Sequence, residues 1–106
     1  MCRDELIVDD IVNAARLAVE FTLGMDQKAF LVDIKTQSAV IHQLLVMGEA
    51  VKRLSLAYRE SRPQVPWKLV AGMRDILIHG YDIVDMEQVW QTVQADIPDI
   101  LSNLKQ

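Results

Sequence analysis

The chain is short of what usually interrupts or cross-links a fold. It has one cysteine, Cys2, in 106 residues, so no disulfide framework forms and a reducing compartment is the natural setting. With two histidines and that single cysteine far apart in sequence, no metal-ligand spacing occurs. No cofactor is called for. Aromatic residues make up only 6%, so the core must be built from aliphatic side chains. No apolar run approaches the roughly 18 residues of a membrane span, and the start "MCRDELIVDD" has no signal-peptide pattern. These absences predict a soluble, cytoplasmic protein with no membrane role. Four glycines and three prolines leave few breakpoints, and the length fits one domain over residues 1–106.

What is abundant is apolar surface, 51% of residues. For a small domain with much surface to cover, that richness points to a buried self-association face. The net charge of −4 argues against a general nucleic-acid coat. It is unevenly spread. From Lys52 to Arg74 six bases (Lys52, Arg53, Arg59, Arg62, Lys68, Arg74) face one acid, Glu60, a net +5 that leaves −9 for the rest. Such asymmetry creates a phosphate-attracting surface on an acidic protein, or else a solvated loop with its helix ends.

Every long segment reads with helical period, and no alternating strand pattern competes. The first helix is expected from about Asp4 to Leu23, with Ile7, Ile11, Ala14, Ala18 and Phe21 on one stripe. Gly24 suits its end, and Asp26 suits the cap of a short helix through Ala29, Phe30 and Leu31. A long helix from Asp33 or Thr36 to Tyr58 carries Val40, Ile41, Leu44, Met47, Gly48, Val51 and Leu54. "RESRPQVP" (59–66) is the clear loop. Pro66 suits the first position of a fourth helix reaching about Tyr81. Asp85 and Gln88 form a capping-box pattern for the last helix, which Pro98 should kink or divide. The expectation is an all-α, four- to five-helix up-and-down bundle.

The fourth helix is unusual because "MRDILIHGYD" (73–82) places Arg74, His79 and Tyr81 in an apolar run. With Arg74 at zero and steps of about 100°, Leu69, Met73, Ile76, Leu77, Gly80 and Val84 form one apolar face at roughly 200–300°. Tyr81 lies about 20° from Arg74, and Asp75 and His79 are an i,i+4 pair. Ile78, framed by the polar groups, is what a ligand or second subunit would cover, or else a scattered exposed apolar residue. Arg74 and His79 diverge on a single helix, but a two-fold axis brings two pairs into one cleft. Histidine is the usual proton-transfer group and arginine the planar phosphate binder. Together they are the minimum for cleaving RNA without metal, with Asp75 orienting the imidazole. Each also has a plain structural reading, His79 as an exposed histidine and Tyr81 as a helix-end ring. His42 reads as a helix-surface or interface residue and Glu49 as a bundle salt-bridge partner. Trp67 and Trp90 read as core or interface anchors.

"RDILIHGY" resembles the R-x-x-x-x-H-x-Y motif of the HEPN superfamily, in particular its HepT-like toxins. "DIKTQSAVIHQLLVMGEAVKRLS", "VPWKLVAGMRD" and "VDMEQVWQTVQADIPDI" are similar to the same all-helical family, so the resemblance covers nearly the whole chain. It implies a HEPN-like, homodimeric fold and the toxin of a type VII-like toxin–antitoxin pair. The activity implied is that of a hydrolase, a metal-independent endoribonuclease acting on RNA. Arg74 and His79 are then the catalytic pair and Asp75 the supporting residue. The implied partner is a minimal nucleotidyltransferase of the MntA type, which neutralises the toxin by AMPylation of Tyr81. Gly80 departs from an acidic residue found between the histidine and tyrosine in many relatives. The alternative is a non-catalytic nucleotide- or partner-binding subunit of such a nucleotidyltransferase.

Overall fold

A computed structural model describes the backbone of residues 3–79 and 84–104, and the side chains of 3–73 and 84–104. The first helix, α1 (Arg3–Phe21), ends where its sequence provides an exit. Gly24 adopts φ +78°, a conformation that costs other residues strain. The Asp26 carboxylate then accepts from the Ala29 amide at 2.8 Å and opens α2 (Gln27–Leu31). Asp33 repeats the device for α3 (Ile34–Arg53), accepting from the Thr36 amide and hydroxyl. Gln37 donates back to the Phe30 carbonyl at 2.9 Å and fixes the α2–α3 corner.

The long helix expected to reach Tyr58 is instead broken at Leu54. The cause is non-local. Asp4, in the first turn of α1, accepts from both the amide (3.0 Å) and the hydroxyl (2.7 Å) of Ser55. Ser55 in turn caps α4 (Leu56–Ser61) through the Tyr58 amide. These hydrogen bonds hold the Asp4 carboxyl below the usual carboxylate range, and those from Thr36 do the same for Asp33. The predicted loop therefore shortens to residues 62–66, because Arg59, Glu60 and Ser61 are helical.

Beyond the loop lies α5 (Trp67–His79). Asp85 caps α6 (Met86–Gln91) by accepting from the Glu87 and Gln88 amides. A π-helical turn, Thr92–Asp96, then leads directly into α7 (Ile97–Leu104). Pro98 explains that turn. It offers no amide hydrogen, and its ring would crowd the carbonyl four residues back. The wider turn relieves the clash, and the Ile97 amide bonds to Thr92, five residues back. The expected division at Pro98 is present, just upstream of the ring. No strand occurs among the described residues.

Four long rods thus form the bundle: α1, α3, α5 and the composite α6–π–α7. The packing of α1 on α3 and of α3 on α5 dominates. Ile7, Ile11, Ala14 and Ala15 of α1 meet Val40, Leu44, Met47 and Val51 of α3 in an aliphatic core, and Ala18 is buried as well. Gly48 is buried on α3 as expected. Each fully buried aliphatic side chain stabilises the fold by roughly 1.5–3 kcal/mol. Phe30 and Trp90 join at a ring separation of 5.4 Å, adding about 0.5–1.5 kcal/mol beyond burial. On the composite rod Val89, Val93, Ile97, Ile100 and Leu104 point inward, while Leu101 is half-buried. Gln94 donates to the Thr22 hydroxyl at 3.0 Å and ties the π turn to the end of α1. Phe21, expected on the α1 core stripe, is exposed because the helix ends there. Leu23, Val32 and Ile34 are exposed too, the last two at 82% and 76%, and they flank α2 with apolar surface.

Candidate active site

The site is built on α5. Pro66 stands just before the helix rather than in its first turn, and its carbonyl accepts the Val70 amide at 3.1 Å. Trp67 follows, and it is a clamp as well as a core residue. Its indole N–H is shared between the carbonyls of Arg59 and Arg62, each at 3.0 Å. Each carbonyl also accepts a backbone amide, Arg62 to Arg59 and Val65 to Arg62, both at 3.2 Å, so the indole adds a second donor to each and fixes the α4–α5 corner. Tyr58 packs edge-on against Trp67 at 6.1 Å. The Arg62 guanidinium lies 5.5 Å from the Tyr58 ring centre, and its Nε donates to the Tyr58 hydroxyl at 3.1 Å. The Nε of Arg59 is buried with no acceptor among the described residues.

The first half of α5 buries Trp67, Val70 and Met73. Leu69, expected on the packed face, is 47% exposed. Stepping about 100° per residue from Arg74, the buried three fall near 20°, 320° and 260°. The observed core face is therefore rotated by roughly 60° from the expected one. The reason is Trp67: reading apolar residues alone favoured Leu69, whereas the indole, held by two hydrogen bonds, sets the rotation of the helix. On the other side, Lys68, Leu69 and Gly72 open onto a cavity of about 550 Å³ between α5 and the α6–π rod. Leu44, Met73 and Val89 supply more of its apolar wall, and Gln88, Thr92 and Asp96 its polar groups.

Arg74, Asp75 and His79 lie on the α5 backbone, and their side chains are outside the described residues. Tyr81 lies outside them altogether, as does Gly80. Along the helix Arg74 and His79 are about 7.5 Å apart at 1.5 Å per residue. In register Arg74 continues the stripe of Val70, four residues before it. His79 continues that of Gly72, seven residues before it. Of the other candidates, His42 and Glu49 are exposed on α3, and both tryptophans are core residues. Among the described residues no three His, Cys, Asp or Glu side chains are grouped to hold a metal ion, and no helix is long and apolar enough to cross a membrane. What the sequence missed is the clamp of Trp67 on Arg59 and Arg62; the only sequence signal was the position of a tryptophan directly after Pro66.

Comparison with known families places this helix in context. The family model described as "Ribonuclease HepT-like" matches residues 11–106, which include all of α5 and the R-x-x-x-x-H-x-Y pattern. The chain belongs to the HepT-like family. A probable ribonuclease HepT of Thermococcus cleftensis is 43% identical over 93 residues, 88% of this chain and 84% of that protein. A putative RNase of Methanocaldococcus jannaschii is 44% identical over 88% of this chain and 74% of its own length. A putative RNase of Caldanaerobacter subterraneus is 34% identical over 93% of this chain and 88% of its own. No solved structure matches. The HepT-like assignment agrees with the all-α architecture, in which α5, the helix of Arg74 and His79, packs on α3.

Proposed function

We propose that this protein is a metal-independent endoribonuclease whose active site is a composite cleft of Arg74 and His79 from two subunits. The observation that carries the reading is the placement of both residues on one continuous helix, α5, anchored by Trp67. Membership of the HepT-like family and the ribonuclease names of its relatives support it.

In the mechanism, an RNA 2′-hydroxyl loses its proton to a His79 imidazole and its oxygen bonds to the adjacent phosphorus. The bond from phosphorus to the 5′-oxygen breaks, and that oxygen takes a proton from an imidazolium. Arg74 stabilises the charge that builds on the phosphate oxygens. Asp75, one turn before His79, orients the imidazole. A two-fold axis supplies the second pair without a further component. The same reading makes the protein the toxin of a type VII-like toxin–antitoxin pair. An MntA-like nucleotidyltransferase then transfers AMP to Tyr81, and the added phosphate charge and bulk at the cleft repel and obstruct RNA.

Two experiments test this. The purified protein should cut single-stranded RNA in EDTA, and Arg74→Ala or His79→Ala should slow cleavage by at least about 100-fold while the oligomer persists. Cleavage surviving in both variants, or requiring added metal, contradicts the mechanism. Co-expression with the nucleotidyltransferase and ATP should add AMP-sized mass that is lost in Tyr81→Phe. Absence of RNA cleavage together with a stable complex with that enzyme would favour a non-catalytic binding subunit instead.

A further inference from the structure

We propose that the α4–α5 corner docks single-stranded RNA beside the cleft, with Arg59 and Lys68 taking backbone phosphates and the Arg62–Tyr58 stack receiving a base. This rests on the ribonuclease reading of the site and names a surface outside its catalytic motif.

Three observations meet at the corner. First, Arg59 is half-buried, and its Nε is shielded from solvent with no acceptor among the described residues. A guanidinium offers five N–H donors in a fixed fork, and a shielded donor without an acceptor is costly. A phosphate at the outer edge of the fork supplies a counter-charge and acceptors for its remaining donors. Second, the Arg62 guanidinium lies over the Tyr58 ring, 5.5 Å from its centre, and donates to the phenol. A guanidinium plane on an aromatic ring is a stacking surface that nucleobases use and that an acidic peptide has no need of. Third, Trp67 ties the backbones of both arginines to the first turn of α5, and exposed Lys68 is the next residue.

The backbones of these residues are therefore held at one corner, at the start of the helix that carries Arg74 and His79. Lys68 precedes Arg74 by six residues, about 9 Å along the axis. That geometry feeds a strand from the basic corner toward the motif. The surrounding charge favours it as well, because the segment 52–74 carries a net +5 in a chain of net −4.

The test uses the full-length protein and a fluorescent, single-stranded 2′-O-methyl oligoribonucleotide, which binds without being cut. Affinity is followed by anisotropy across a salt series. Each lost phosphate contact should lower affinity roughly fourfold at about 0.15 M salt and flatten the slope of log K against log salt by about 0.7. Arg59→Gln combined with Lys68→Gln should therefore weaken binding about fifteenfold and flatten the slope by about 1.4. Lys68→Gln alone, at an exposed position, should give the single step and cannot be mistaken for unfolding. Tyr58→Leu should weaken binding with an unchanged salt slope.

Unchanged affinity and slope in the double variant overturn the proposal. So does a loss confined to capture of the nucleotidyltransferase, which would make the corner a protein-docking surface. The two readings fail separately. If native protein never cuts RNA yet the salt slopes fall as stated, the docking surface stands and the ribonuclease reading falls. If cleavage depends on His79 while the double variant binds normally, the reverse holds.

Discussion

Trp67, Val70 and Met73, in the first half of α5, are buried in the bundle core, whereas the second half carries Arg74, Asp75 and His79, residue types that an aliphatic core does not use. The helix is 13 residues long, near the length at which an isolated helix is marginal in water. Its second half therefore depends on the packing of its first. On the proposed reading, stability and chemistry sit on one helix but in different turns, and substitutions should separate them.

The largest expected effect breaks the anchoring half. Trp67→Ala removes a buried indole and leaves the Arg59 and Arg62 carbonyls without their shared donor, a loss of about 3–5 kcal/mol by denaturant unfolding, with activity falling alongside. Trp67→Phe keeps a ring without the donor and should cost nearer 1 kcal/mol. Next comes the chemical half. His79→Ala should raise the barrier to cleavage by about 2.7 kcal/mol or more, the 100-fold expected for a general acid–base group. Its unfolding midpoint should stay within about 0.5 kcal/mol of the parent. A midpoint that falls as far as in Trp67→Ala would erase the contrast between the halves.

Smaller effects test the frame around the helix. Asp85→Ala removes the cap of α6, the rod that walls the cavity opposite Lys68 and Gly72, and should cost about 1 kcal/mol. The smallest effect belongs to Asp4. Its carboxyl is held below the ordinary value of 3.8 by Ser55, so its stabilisation is complete above that value and is lost as pH falls through the lowered one. Acid unfolding of Asp4→Asn should accordingly show a shallower pH dependence below about pH 4 than the parent. An identical profile would mean that the Ser55 break does not depend on that carboxylate.

The sequence made much of the frame legible where signals are local. Gly24 with Asp26, and Asp85 before Met86, mark helix ends because a glycine conformation or a cap acts within three residues. Pro98 announced a disruption for the same reason. The break at Leu54 was hidden, since the apolar period runs on and the acceptor that stabilises Ser55 lies 51 residues away on α1. The rotation of α5 was hidden too. An apolar stripe through Leu69 looked continuous, and nothing local says that an indole N–H bridges two carbonyls of another helix. At the site, residue types and spacing were enough to single out Arg74, His79 and Tyr81. The basic segment was visible only as a charge total, and the shielded Arg59 Nε, without an acceptor among the described residues, needed three dimensions.

The central claim is that an RNA 2′-hydroxyl is the nucleophile and that His79 with Arg74 moves its proton and steadies the phosphate. The most direct measurement is the mass of the ends left on an RNA oligonucleotide cut in EDTA. Cleavage should leave a 2′,3′-cyclic phosphate on one fragment and a 5′-hydroxyl on the other, with no cutting where a 2′-deoxy nucleotide replaces the attacking residue. Fragments ending in a 3′-hydroxyl and a 5′-phosphate would mean that water attacked instead, and would contradict it.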